Sequence, residues 1–396
     1  MLPLLSSTVL IILCCIIIWR ASEGFESASE YLGRKLSAGV RGATINAIGS
    51  SMPELLTTLF FLFIFQDRDG FAGGIGTTAG SAIFNSMIIP ALVILVVMIS
   101  RQASGVEVTR SVVLRDGIAL LICEFILIFL LGSTSLNWTQ GLVLMGLYAI
   151  YGYWLMVSMK STDERPASSV ESRIKEERKG VEWQEVGFWV RLATLDLKGA
   201  FVRGAFSRGS AWGLLLLSLG VIALACFYLV RACELFGEAA GIRVYFVAVI
   251  LASAATSVPD TFLSIRDAQK GNYDDAVSNA LGSNVFDICF ALGFPLFLFT
   301  LIYGPIEMSP TTIQDVSELR ILLFILSLAA FLVYISQRRL GWFSAFILLA
   351  LYGFFTFYII SHAQSAGMEP HFSRQISAWL AEINEWVDGM RFWTSE

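Results

Sequence analysis

Two short stretches hold the residue types that could do chemistry in an otherwise apolar chain. Residues 50–60 read SSMPELLTTLF and residues 256–266 read TSVPDTFLSIR. Each is a pair of small hydroxyl residues, one apolar residue, a proline, an acid and a helix-like apolar run. A second block follows in both halves, GSAIFNS at 80–86 and GSNVFDI at 282–288. A carboxylate inside a bilayer costs at least about 2.5–3.5 kcal/mol, so Glu54, Asp260 and Asp287 need compensation. No Lys or Arg stands beside them in sequence, and a mobile cation is the compensator that fits. Pro53 and Pro259 lack an N–H and disturb the preceding turn. This frees carbonyls such as those of Gly49 and Ala255, tolerable at membrane depth only where they line a cavity or hold an ion. Ser50, Ser51, Thr256, Ser257, Ser81 and Ser283 add neutral hydroxyl oxygens. An all-oxygen set suits hard cations, Ca²⁺ above all, which takes roughly six to eight flexible ligands. A lone Pro–acid pair could equally be a kink whose acid bonds between helices. Recurrence of two blocks in the same order sets that reading aside.

The elements that must position these residues are membrane spans. Hydrophobic residues make up 56% of the chain and charged ones 15%, against about 25% charged in soluble domains. Mean hydropathy is +0.70. Apolar length and breaker positions predict about ten spans, near 3–19, 37–65, 71–99, 112–132, 137–159, 211–231, 242–266, 274–302, 319–336 and 341–361. Nothing positive precedes the first run, while Arg20, Arg34, Lys35 and Arg41 follow it. It therefore stays as a first helix with the N-terminus outside. Loops after odd-numbered spans are then inside, and they collect 21 of the 27 Lys and Arg residues. The motif copies fall on spans two and three and on spans seven and eight. Corresponding spans are five apart, so the copies enter the membrane in opposite directions, the layout of an inverted-topology secondary transporter with a midplane site. The expected fold is an all-α polytopic membrane protein. Its ten or so transmembrane helices form two inverted-topology five-helix repeats, with broken helices at the ion site.

Residues 1–159 make the first half, with its motif at 43–90, and 211–362 the second, with its motif at 251–295. Between them, 160–210 reads as a solvated cytoplasmic tether, too short for a substantial domain. In the tail, 363–396, Phe372, Ile376, Trp379, Leu380, Ile383, Trp386, Val387, Met390 and Trp393 recur at helical spacing. That predicts an amphipathic helix at the outer interface or packed on the bundle. The six cysteines lack C-x-x-C spacing and read as packing residues, and His362 and His371 lie far from the motifs. No basic stripe suggests nucleic acid. Glu124, mid-span and outside both motifs, is expected to hydrogen-bond a neighbouring helix, and Glu234 to face the interface near Arg231. The expected partners are membrane lipid and inorganic cations, with no cofactor, no obligate protein partner and no enzymatic activity.

GSSMPEL (49–55), GSAIFN (80–85), ATSVPD (255–260) and SNALGSNVFD (278–287) resemble the sodium/calcium exchanger family of the calcium/cation antiporter superfamily. The likeness is sharpest to its potassium-dependent members, over roughly 43–90 and 251–295. It implies an antiporter at the cell membrane exchanging Na⁺ for Ca²⁺ by alternating access, with spans one and six as candidates for the mobile unit. The resemblance makes Glu54 and Asp260 the principal Ca²⁺ carboxylates, helped by backbone carbonyls of Ser50 and Thr256. Sodium sites would draw on Ser51, Ser81, Ser257 and Ser283, with carbonyls of Ala47 and Ser253. Asn85 and Asp287 would complete the central position, and an aspartate at 287 is the feature associated with potassium. A total of three negative charges is matched by one Ca²⁺ plus one K⁺, and equally by three Na⁺. The short central loop leaves no room for the calcium-sensing domains of some members. Rival readings are a proton/calcium antiporter of the same fold, against which the PE and PD motifs argue, and a cation channel.

Overall fold

The computed structural model describes residues 2–32, 47–65, 71–160, 187–202, 206–363 and 371–389. Residues 43–46 of the first motif, Arg34, Lys35, Arg41 and Arg68, most of the charged loop, and Met390 and Trp393 lie outside the described residues.

The first half comprises α1 (Leu2–Leu32), α2 (Ala47–Ser50), α3 (Met52–Phe63), α4 (Ala72–Ile99), α5 (Arg110–Leu130) and α6 (Trp138–Lys160). Two short helices, α7 (Phe188–Ala193) and α8 (Leu197–Phe201), occupy the described part of the central loop. The second half begins with α9 (Arg208–Ala240). It continues through α10 (Val244–Val247), a π segment at Ala248–Ala252, α11 (Ser253–Thr256) and α12 (Val258–Gln269). Next come α13 (Tyr273–Phe286), a π segment at Asp287–Ala291 and α14 (Leu292–Tyr303). Finally come α15 (Pro310–Ser336), α16 (Trp342–His362) and the tail helix α17 (His371–Gly389). Eight of these stretches are long and apolar enough to cross a membrane. The other two of the ten expected passes are α5, which carries Arg115, Asp116 and Glu124, and the interrupted α2–α3.

The first span differs from its expected end near residue 19, because α1 runs on to Leu32. Ala21, Phe25 and Ala28, at i, i+4 and i+7, remain buried while the opposite face turns polar. An apolar-length criterion stops where composition changes, but the packed stripe continues. Along α1, its residues and those of α9 share one apolar cluster, with α10, α11 and the first π segment at its edge.

The inversion is visible in the smallest elements. Four two-residue strands, β1 (Val106–Glu107), β2 (Ser135–Leu136), β3 (Ile306–Glu307) and β4 (Arg339–Leu340), form two antiparallel pairs. The pair β1–β4 joins the loop between passes three and four to the loop between nine and ten. Under a five-pass exchange of halves these become the loops between eight and nine and between four and five, which β3–β2 joins. A two-fold axis in the membrane plane therefore carries one ladder onto the other at the opposite face. Helix contacts obey the same exchange, with α4 on α16 and α6 on α14.

The tail helix packs on the bundle. Its Leu380 and Val387 are buried, Ser377 Oγ donates to Glu318 Oε1 at 2.6 Å, and Arg320 Nη2 donates to Asn384 Oδ1 at 2.6 Å. Phe372, Trp379 and Trp386, seven residues apart along one stripe, stay exposed.

Candidate cation site

Both motif copies break their helix at the same register. The breaks fall at Ser51 (φ −94°, ψ 10°) and Ser257 (φ −79°, ψ 0°), each two residues before the proline. The proline then stands second in the following helix, where its missing N–H costs no hydrogen bond. Glu54 and Asp260 stand third, in the first turns of α3 and α12, where the helix N-terminus favours a negative charge. Ser50 and Thr256 end α2 and α11, whose last carbonyls have no partner within their own helix. Each break thus presents a carbonyl end and, four residues on, a carboxylate.

Glu54, Asp260 and Asp287 are all fully buried. Ser81 on α4 stands among them: its Oγ is 3.2 Å from Glu54 Oε1, 2.9 Å from Asp287 Oδ2 and 2.8 Å from Ser257 Oγ. Asn85, one turn along, turns its Nδ2 toward Ser81 Oγ and Asp287 Oδ2. On the second side Ser283 Oγ donates to Asp260 Oδ1 at 2.7 Å. One oxygen of each acid, Glu54 Oε2, Asp260 Oδ2 and Asp287 Oδ1, has no hydrogen-bond donor among the described residues, and neither does Asn85 Oδ1. Among the described residues none of the three carboxylates pairs with a Lys or Arg. Nor do any three His, Cys, Asp or Glu side chains there converge closely enough to hold a metal alone. Hydroxyl, amide and carbonyl oxygens must complete any coordination shell.

The remaining expected residues divide. The Ser253 carbonyl already accepts from Ser257 N at 3.0 Å and from Thr256 Oγ1 at 3.1 Å, and the Ser253 hydroxyl turns back to Val249 O. As an ion ligand this carbonyl would have to give up the threonine. Ala47 opens α2.

The structure adds residues that the motif reading leaves out. Asn279 Nδ2 reaches both Asp260 Oδ1 at 3.4 Å and Ser264 Oγ at 3.2 Å. Asn284 Nδ2 crosses to the other half, donating to Ser86 Oγ at 2.7 Å and Ala82 O at 3.1 Å. Their signal is helical spacing, since Asn279 lies four before Ser283 and Ser264 four after Asp260. Glu124 is bonded as expected, accepting from Ser327 Oγ on α15 at 2.7 Å, and Glu234 pairs with Arg231 at 3.0 Å. Asp116, not singled out by its sequence, is buried and accepts from Arg115, Tyr151 and Ser278.

Comparisons with known proteins bear on the family and the fold. A family model described as Sodium/calcium exchanger protein matches residues 6–157 and 210–361, the two halves without the central loop. The human sodium/potassium/calcium exchanger 5 is 26% identical over 348 residues, covering 69% of this chain and 65% of that protein. The mouse sodium/potassium/calcium exchanger 2 is 33% identical over 147 residues, covering 36% of this chain and 21% of that one. The match thus spans about a fifth of the mouse relative's length. Among solved structures, an H⁺/Ca²⁺ exchanger, CAX, superposes with a TM-score of 0.58 at 16% identity, covering 98% of this chain and 91% of that one. The sodium-calcium exchanger NCX_Mj gives 0.54 at 21% identity, covering 89% and 97%. At such identities the superpositions speak for the fold.

Proposed function

Because the chain belongs to the sodium/calcium exchanger protein family, we propose that it is a secondary active antiporter exchanging Na⁺ for Ca²⁺ by alternating access, with K⁺ as a co-ion. The observation that carries this reading is the set of three buried carboxylates, each with one oxygen that no hydrogen bond from the described residues satisfies. Uncompensated charge at membrane depth is expensive, and the donor set is that of a hard cation. Glu54 and Asp260 are the principal Ca²⁺ ligands, with carbonyls of Ser50 and Thr256. Ser51, Ser81, Ser257 and Ser283, with the carbonyls of Ala47 and Ser253, serve Na⁺. Asn85 and Asp287 close the centre and take K⁺. Coupling follows from competition, since the same oxygens cannot hold Ca²⁺ and a full Na⁺ load together. The ions bias the inward and outward states only through their different affinities for each. The basic-residue count supports a multi-pass membrane protein with its N-terminus outside and loop 160–210 in the cytoplasm.

A second reading, proton/calcium antiport, draws on the Ser81 hydroxyl. Its single hydrogen cannot serve Glu54 and Asp287 together, so a proton on one carboxyl would also satisfy the contact. Calcium uptake into proteoliposomes separates the two. Uptake that requires an opposing Na⁺ gradient supports Na⁺ exchange. Uptake driven as well by a pH gradient alone sinks it in favour of protons, and uptake needing no counter-ion points to a channel.

A further inference from the structure

Away from the carboxylates, a crevice between α1 and α12 is lined at the helix breaks by Ser50 and by Pro259, the residue before Asp260. Trp19, Glu23, Glu26, Phe262 and Arg266 line its way in. Two layers of contact cross it. Nearer the site, the rings of Trp19 and Phe262 stack with centroids 4.0 Å apart and planes 14° from parallel. Nearer solvent, Arg266 Nη2 donates to Glu23 Oε1 at 2.6 Å, and its Nη1 stands 3.9 Å from Glu26 Oε2. Glu23 is held in turn by Arg20 at 3.2 Å. Arg266 lies six residues beyond Asp260 on α12, so any movement of α1 against α12 at this end makes or breaks contacts on the helix that carries a site acid.

The geometry points to a two-layer gate, the Arg266–Glu23/Glu26 ion pairs over the Trp19–Phe262 stack, controlling access of hydrated cations to the site from the face bearing loop 160–210. It rests on the antiport reading for what passes through, while the gate itself is a matter of geometry. The outer layer is weak by design: Arg266 is 45% exposed, and partly exposed pairs shift an equilibrium by roughly two- to fivefold. A latch of that strength can open on each transport cycle.

The test uses Ser22→Cys, a buried position on the crevice wall outside the carboxylate site, in the reconstituted full chain. Its reaction rate with a charged methanethiosulfonate reagent is measured against the parent chain, whose native cysteines set the background. Arg266→Gln should speed labelling about two- to fivefold. Glu23→Gln with Glu26→Gln should do the same if the arginine variant folds poorly. Molar salt, which shrinks the screening length to about 3 Å, should speed labelling of Ser22→Cys alone and not of Ser22→Cys combined with Arg266→Gln. Unchanged labelling in both variants overturns the gate. Labelling needs no flux, so a failure of Na⁺-driven Ca²⁺ uptake would remove the antiport reading and leave this result standing.

Discussion

The hydroxyl of Ser81 lies 2.9 Å from Oδ2 of Asp287, so a neutral residue of the first half is bonded to an acid of the second. Under the two-fold that relates the halves, Ser81 corresponds to Ser283, whose hydroxyl instead bonds Asp260 of its own half at 2.7 Å. The asymmetry follows from one substitution in the repeat, Asn85 in the first copy against Asp287 in the second. Asparagine supplies an oxygen without charge, whereas aspartate draws donors toward itself. The extra charge therefore sits off-centre, and the Ser81 hydrogen cannot satisfy both Asp287 and Glu54.

Asp287→Asn should make exchange independent of potassium. The site charge falls from three to two, which one Ca²⁺ balances alone, and no monovalent ion is then needed beside it. Initial rates of Na⁺-driven Ca²⁺ uptake with and without K⁺ measure this. Wild type should respond to K⁺ and the variant should not. A K⁺ response of wild-type size in the variant would take Asp287 out of the potassium site.

Glu54→Gln and Asp260→Asn should each abolish exchange to within about 1% of wild type. Removing one partner of a buried, desolvated charge interaction costs about 2–5 kcal/mol. The same variants should melt at or above the wild-type temperature in ion-free buffer, because each removes a buried charge left without a counter-ion. Calcium at about 100 times its dissociation constant stabilises the wild type by about 2.7 kcal/mol, a shift of Tm that both variants should lose. Thermal unfolding with and without Ca²⁺ reads both effects. A calcium shift of wild-type size in either variant would remove that residue from the coordination shell.

The residues that hold the charge were legible because burying a carboxylate is costly and the chain repeats the solution twice. Pro53 and Pro259 mark both helix breaks, although the break itself falls at Ser51 and Ser257. A proline is most comfortable in the first turn of the helix it begins, so the distortion precedes it. Asn279 and Ser264 carry only a four-residue spacing to Ser283 and Asp260, and Asn284 not even that, because mid-helix asparagines and serines declare a role only once the opposing helix is known. The β1–β4 and β2–β3 ladders left no trace in the sequence either, being two residues long and without a period to read. The end of α1 escaped because length of apolar run measures contact with lipid, and its last three turns are held by contact with protein.

Ser327→Ala should destabilise the protein without stopping exchange. It removes the donor to Glu124 Oε1 and leaves a buried carboxyl with neither oxygen bonded, a cost of about 1–3 kcal/mol. Glu124 lies on α5, outside both motif copies, so the motif carboxylates keep their partners. Tm should fall while the K⁺ and Na⁺ dependence of uptake stays as in wild type. A changed ion dependence would draw Glu124 into the transport path.

Gly80 and Gly282 occupy the same place in the two copies of the GS block, yet alanine should be harmful at the first and harmless at the second. A Cβ on Gly80 would stand 2.2 Å from the Val249 carbonyl and 2.9 Å from the Ser253 side chain. There α4 crosses the π segment before the second helix break almost backbone to backbone, and no side chain can move aside to relieve it. Overpacking of a well-filled contact costs about 1–3 kcal/mol, and here the strain falls between Ser81 and Ser253, beside the site. A Cβ on Gly282 would meet only the Tyr151 hydroxyl at 3.6 Å, an ordinary contact. Gly80→Ala should therefore lose most exchange and melt lower, while Gly282→Ala keeps both close to wild type. Equal behaviour of the two, in flux and in melting, would mean that the halves do not approach each other at Gly80 in this way.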